Sequence, residues 1–132
     1  MLPCPLNAMR LDETRFADVV VLAPIGRVDH VTAEELKTAL APHLARCGPG
    51  HDHIVLDFAG VDYISSAGLR VLMLAAKQVK AQGGFLAVAG VQPLVQEIFE
   101  ISKFTLVLRI LPSVRDAVAA ASVAALAALE QA

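Results

Sequence analysis

Two adjacent hydroxyls, Ser65 and Ser66, stand in the stretch VDYISSAGLRVL, where an apolar approach through Tyr63 and Ile64 gives way to a helical pattern. Three chemistries suit such a pair: a helix cap, a nucleophile, or an acceptor for a phosphoryl group. A hydrolase nucleophile needs a glycine on each side at elbow spacing, because the backbone there makes a strained turn. Around Ser66 the order is Ile64-Ser65-Ser66-Ala67-Gly68, so the first glycine is missing. His30 is the only histidine near a candidate site loop, and a triad requires geometry that this spacing does not supply. His51-Asp52-His53 groups potential metal ligands, but neighbours alternate across a strand and no further ligand follows at motif spacing. It reads as a solvated loop entering a strand. Phosphate-cradling loops are missing too: CGPGHDH lacks the lysine-ended pattern, and GGFLAVAG spans a strand rather than opening a helix. The expectation is no catalysis, no metal and no cofactor.

Capping and phosphate acceptance are compatible at this turn. Serine is a favoured N-cap, and its loss typically costs about 1 kcal/mol. A single cap needs one hydroxyl, however, and two are present. A helix N-terminus offers free amides and the positive end of its dipole, so a phosphate there is favoured. Phosphorylation adds about −1.5 to −2 charges near neutral pH. The domain could carry that charge without unfolding, while a partner docked on the same surface would feel it strongly.

The elements that must position this turn alternate between strand and helix. DVVVLAPI over 18–25 reads as a strand ending near Gly26, with a further strand over 8–13 before it. Thr32-Ala-Glu-Glu35 has the form of a capping box, opening a helix to about Arg46 with Leu36, Leu40 and Leu44 on one face. HIVLDF over 53–58 is a short buried-type strand, and a helix over 67–81 ends at Gly83-Gly84. A strand over 85–89, a helix from Pro93 to about Ile101 and a last strand over 106–111 follow. Ser113-Val-Arg-Asp116 then opens an Ala-rich C-terminal helix to about residue 130. Such alternation predicts an α/β fold with parallel neighbours and helices against the sheet. Loops after strand ends gather on one edge, where open α/β sheets place their sites. The serine turn is such a loop.

At 132 residues the chain predicts a single domain over 1–132, with its core over about 9–120. Hydrophobic residues make up 56% and charged residues 18%, enough for a core and against disorder. The formal net charge is −2 with no basic run, which argues against direct nucleic-acid binding. Cys4 and Cys47 lie far apart without metal spacing and read as reduced thiols of a cytoplasmic protein. MLPCPLNAMR has no signal-peptide pattern, and the alanine-rich run over 117–129 falls short of the ~20 apolar residues of a membrane span.

Three features make the chain resemble the STAS domain family, in particular the small bacterial anti-sigma factor antagonists. They are Gly26-Arg-Val-Asp29-His30-Val-Thr32-Ala33-Glu34, the run HIVLDFAGVDYISSAGLRVL, and Gly83-Gly84 followed by Val91-Gln-Pro93. The resemblance implies a four- to five-stranded mixed sheet with helices mainly on one side, and no catalytic activity. In the family's site the order is Asp-Ser-(Ser or Thr)-Gly-Leu, with the first serine phosphorylated. Anchored on Gly68-Leu69, that serine corresponds to Ser66; Ser65 stands in place of the Asp and Ala67 in place of the second hydroxyl. Asp29 matches an acidic residue near the phosphoserine at the partner interface. The implied function is partner switching. The unphosphorylated protein binds an anti-sigma factor with serine kinase activity, phosphorylation switches it off, and a serine phosphatase reverses the mark. A second reading is a STAS domain serving as a fixed subunit, for example of a membrane transport complex. Arg70, Leu74 and Lys77 share one helical stripe, two cations flanking a leucine, and read as a docking stripe. The expected partner-binding set is Asp29, His30, Thr32, Ser65, Ser66, Gly68, Arg70, Leu74 and Lys77.

Overall fold

The computed structural model describes residues 10–50 and 52–131, so His51 and Cys4 lie outside the described residues. β1 (Arg10–Phe16) and β2 (Val19–Val28) form an antiparallel hairpin in register from Leu11 opposite Pro24 to Phe16 opposite Val19. Its turn places Ala17 at φ 53°. The helix α1 (His30–Ala45) leads to β3 (His53–Asp57) and β4 (Val61–Ile64). Beyond them come α2 (Ser66–Ala81), β5 (Leu86–Ala89) and α3 (Pro93–Ile101), then β6 (Arg109–Leu111), α4 (Val114–Ala121) and α5 (Val123–Gln131).

The sheet runs β1-β2-β3-β5-β6, with β4 paired separately to β2. Every pairing after the first hairpin is parallel. The six strands among the described residues are thus one more than the upper end of the expected range, and β4 is the addition. The Asp57 carboxylate accepts from Ala59 N at 3.0 Å, and Val61 N donates to Phe58 O at 3.0 Å, so the apolar run turns sharply. Val61–Ile64 then lies beside an extension of β2. The expected end of β2 near Gly26 is corrected in the same way. Gly26 takes φ 109° where the register shifts, its N–H donates to Gly60 O at 2.8 Å, and the strand continues to Val28.

Alternation along the strands sends side chains to two core layers. Val20, Leu22, Ile54, Leu56 and Val88 face α1, α2 and α3, where they meet Leu36, Leu40, Leu72 and Phe99. Each large apolar side chain so buried contributes about 1.5–3 kcal/mol relative to exposure. Val19, Val21, Val55, Ala87 and Ala89 face α4 and α5. Three helices therefore cover one face, and the C-terminal pair covers the other.

Two local expectations are corrected. The strand expected over 106–111 is short, because Phe104–Leu106 forms a 3-10 turn that sends Phe104 onto Phe99, ring centroids 6.1 Å apart. The C-terminal helix is interrupted at Ser122, whose backbone is extended and whose hydroxyl accepts from Ala125 N at 3.2 Å. That break lets α5 fold back, and Arg115 pairs with Glu130 at 2.6 Å.

Candidate functional site

The parallel pairing of β2 and β4 brings two helix starts together. Val28 stands opposite Ile64, so the next residues, Asp29 and Ser65, leave the sheet side by side. Ser65 N donates to Val28 O at 2.8 Å and fixes that adjacency.

At the start of α1 the N-cap is Asp29, which corrects the expected Thr32–Glu35 box. Asp29 Oδ1 accepts from Val31 N and Thr32 N, both at 3.0 Å. Thr32 is the third helical residue; its Oγ1 accepts from Asp29 N at 2.8 Å and donates to Arg27 O at 2.7 Å. Glu35 does not reach back, and its Oε2 is buried without a hydrogen-bond partner among the described residues. The extended backbone that Asp29 inherits from β2 (φ −100°, ψ −170°) is the N-cap conformation, and this decides between two overlapping box patterns. The Thr32 N–H bond holds the Asp29 carboxyl below the usual carboxylate range, with smaller help from the Val31 N–H.

At the start of α2 the two serines divide the work. Ser65 is the N-cap, with extended backbone and Oγ accepting from Gly68 N at 3.2 Å. Ser66 is the first helical residue; it is exposed, and its hydroxyl makes no hydrogen bond among the described residues. Gly68, expected among the partner contacts, is buried in the first turn of α2. A Cβ there would come within 2.7 Å of Ile64 and Val28 side-chain carbons. Its lack of a side chain lets the first turn of α2 press onto the strand ends.

Ser66 opens into a groove of about 650 Å³ between α1 and α2, lined by Glu34, Lys37, Ser66, Ala67, Arg70, Val71 and Leu74. A narrower continuation of about 180 Å³ carries Leu40, Leu44 and Ala75, and Leu74 borders both. Leu74 is 48% exposed and lines both parts, beside Ala67 and Val71 as well as the charged Glu34, Lys37 and Arg70. The structure thus gathers Ser66, Arg70 and Leu74 in one place. Lys77 is exposed but lines neither part, and His30 is exposed at the first position of α1. Asp29, Thr32 and Ser65 are occupied by the two caps.

Sequence reasoning missed Glu34 and Lys37. They lie on the polar side of the helix that carries Leu36 and Leu40, and their three-residue spacing was the available signal. Arg27 was missed too; it pairs across the β2–β4 ladder with Tyr63, its guanidinium 4.1 Å from the ring centroid. At the opposite end of the sheet, Asp52 accepts from Arg15 at 2.7 and 2.9 Å. Among the described residues no helix is long and apolar enough to cross a membrane.

With this geometry in place, comparison with known proteins is direct. A Bordetella bronchiseptica protein named as anti-sigma factor antagonist BtrV is 39% identical over 113 residues, covering 86% of this chain and 94% of that protein. The anti-sigma F factor antagonist of Paenibacillus polymyxa is 25% identical over 96 residues, 71% of this chain and 79% of the relative. An anti-sigma factor antagonist from Mycobacterium paratuberculosis, solved by crystallography, has the same fold, with a TM-score of 0.77 at 21% identity over 89% of this chain and 97% of that one. The family model described as STAS domain matches residues 11–117, from β1 into α4 and through both helix starts that frame the groove. The chain belongs to the STAS domain family.

Proposed function

We propose that this chain is an anti-sigma factor antagonist whose partner is an anti-sigma factor with serine kinase activity. In the unphosphorylated state it docks through the α1–α2 groove, with Ser66, Arg70 and Leu74 inside it and His30 and Lys77 exposed on the same two helices. Phosphorylation of Ser66 releases the partner, and a serine phosphatase restores binding. The two named relatives support this reading.

One observation carries it: Ser65 holds the helix while the Ser66 hydroxyl stays exposed and unengaged. A kinase can take an exposed hydroxyl at the first helical position without removing the cap. The chain has serine where the family pattern has aspartate, and Ser65 still supplies the oxygen that the first-turn amide requires. The helix therefore keeps its cap without the carboxylate. An added phosphate sits at the favourable end of the α2 dipole, so the domain stays folded. At the docking surface the same charge changes complementarity, and binding falls.

The direct test incubates the purified protein with candidate kinases and ATP and maps the phosphate by mass spectrometry. Modification at Ser66 is expected. Modification confined to Ser65, or none by a kinase that demonstrably binds, overturns the assignment. Leu74→Glu tests the groove: partner binding should be lost while stability stays within about 0.5 kcal/mol, as for an exposed position. Unchanged binding, or an unfolded domain, removes Leu74 from the docking surface.

A further inference from the structure

Lys37 and Arg70 line the groove that Ser66 opens into, and among the described residues neither makes an ion pair or hydrogen bond. Elsewhere Arg15 holds Asp52 and Arg115 holds Glu130, while Lys77, Lys80 and Lys103 are also without an ion pair among the described residues. Arg70 follows Ser66 by four positions on one helix, a spacing that sets Cβ atoms about 5–6 Å apart. Lys37 comes from the other wall, and Glu34 is the anion lining the same groove.

We infer that a phosphoryl group on Ser66 is clamped within the molecule, by Arg70 from its own helix and Lys37 from across the groove. The inference rests on Ser66 being the acceptor, as proposed above. In the transfer, the Ser66 Oγ–P bond forms as the bond to the bridging oxygen of a nucleoside triphosphate breaks. The nucleoside diphosphate leaves with that electron pair, and the hydroxyl proton passes to a base or solvent. The product carries three acceptor oxygens, and the Arg70 guanidinium can meet two of them at once while Lys37 meets the third. Both cations are then drawn over the groove beside Leu74. The mark acts by occupying the docking groove from inside, in addition to adding charge to the docking surface. Glu34 opposes the clamp, so its charge sets how firmly the groove closes.

The test installs phosphoserine at position 66 during translation, so no kinase is needed. The second ionisation of the phosphate is followed by phosphorus NMR in the parent chain and in Lys37→Gln, Arg70→Gln, the double variant and Glu34→Gln. Asp29 and His30 are unchanged throughout, so differences report the groove charges alone. Nearby cations favour the doubly charged phosphate, and removing them should raise the titration midpoint. Lys37→Gln and Arg70→Gln are each expected to raise it, the double variant by several tenths of a pH unit, and Glu34→Gln to lower it. Coincident titrations of the parent and the double variant would overturn the clamp, because the phosphate would then stand in solvent. That result leaves the acceptor assignment intact, whereas a kinase that binds and leaves Ser66 unmodified sinks the acceptor assignment itself, whatever the titration of the installed phosphoserine shows.

Discussion

The starts of α1 and α2 stand side by side on one sheet edge, yet they spend their polar side chains differently. At α1 the Asp29 carboxylate takes two amides, and the Thr32 hydroxyl is committed to Asp29 N and Arg27 O. Of the side-chain polar atoms in that cap, only Asp29 Oδ2 makes no hydrogen bond among the described residues. At α2 a single hydroxyl, Ser65 Oγ, makes the side-chain cap, and the next hydroxyl is free. The first start is a closed structural joint. The second is a joint with one group to spare, beside a groove that carries two unengaged cations. A site for reversible modification needs this second arrangement, because a group that holds the fold cannot be modified without loosening it.

Four substitutions break or sharpen that contrast. The largest effect is expected for Gly68→Val, since even a Cβ would meet Ile64 and Val28 side chains at 2.7 Å. Overpacking of this kind costs about 1–3 kcal/mol, read as a lower denaturant midpoint. A variant as stable as the parent would mean that α2 does not press onto the strand ends. Ser65→Ala comes next, with an expected loss of about 1 kcal/mol from the missing cap.

The third test uses pH on the closed joint. The folded-state pKa of Asp29 is depressed, so its ionised form stabilises the fold above the unfolded-state value and this contribution is lost as pH falls through the folded-state value. The Asp29→Asn variant keeps an oxygen acceptor but cannot titrate. Melting both proteins from neutral pH to below 3.8, the ordinary carboxylate value, should show the parent losing stability relative to the variant only in the acid range. A constant difference at every pH would remove the charge from the α1 cap. The smallest effect belongs to Ser66→Ala, expected within about 0.5 kcal/mol of the parent because the hydroxyl holds nothing. A larger loss than for Ser65→Ala would reverse the division of labour between the serines.

Much of the fold was legible because its signals are local. Pro93 at the first position of α3 and Ser113 capping α4 both stand where the sequence placed them. Pro93 presets φ, and Ser113 reaches only three residues ahead to Asp116 N, so neither needs the rest of the chain. The α1 start shows the limit of such reading. Asp29-x-x-Thr32 and Thr32-x-x-Glu35 both fit a capping pattern, and only the extended run of β2 into Asp29 selects the first. β4 was hidden for a similar reason: four residues after a turn form a strand only where an extension of β2 waits to pair with them. The break at Ser122 runs against alanine's helix propensity. It appears because α4 and α5 must both reach the face formed by Val19, Val21 and Val55.

The residues themselves determined the helix and strand periods, the serine pair at a helix start and the family pattern, because each depends on neighbours a few positions apart. Tertiary structure decided which serine is spent, why Gly68 is a glycine, and that Lys37 faces Ser66 across a groove. Those outcomes follow from the parallel pairing of β2 with β4, which joins residues more than thirty positions apart and which no local propensity encodes.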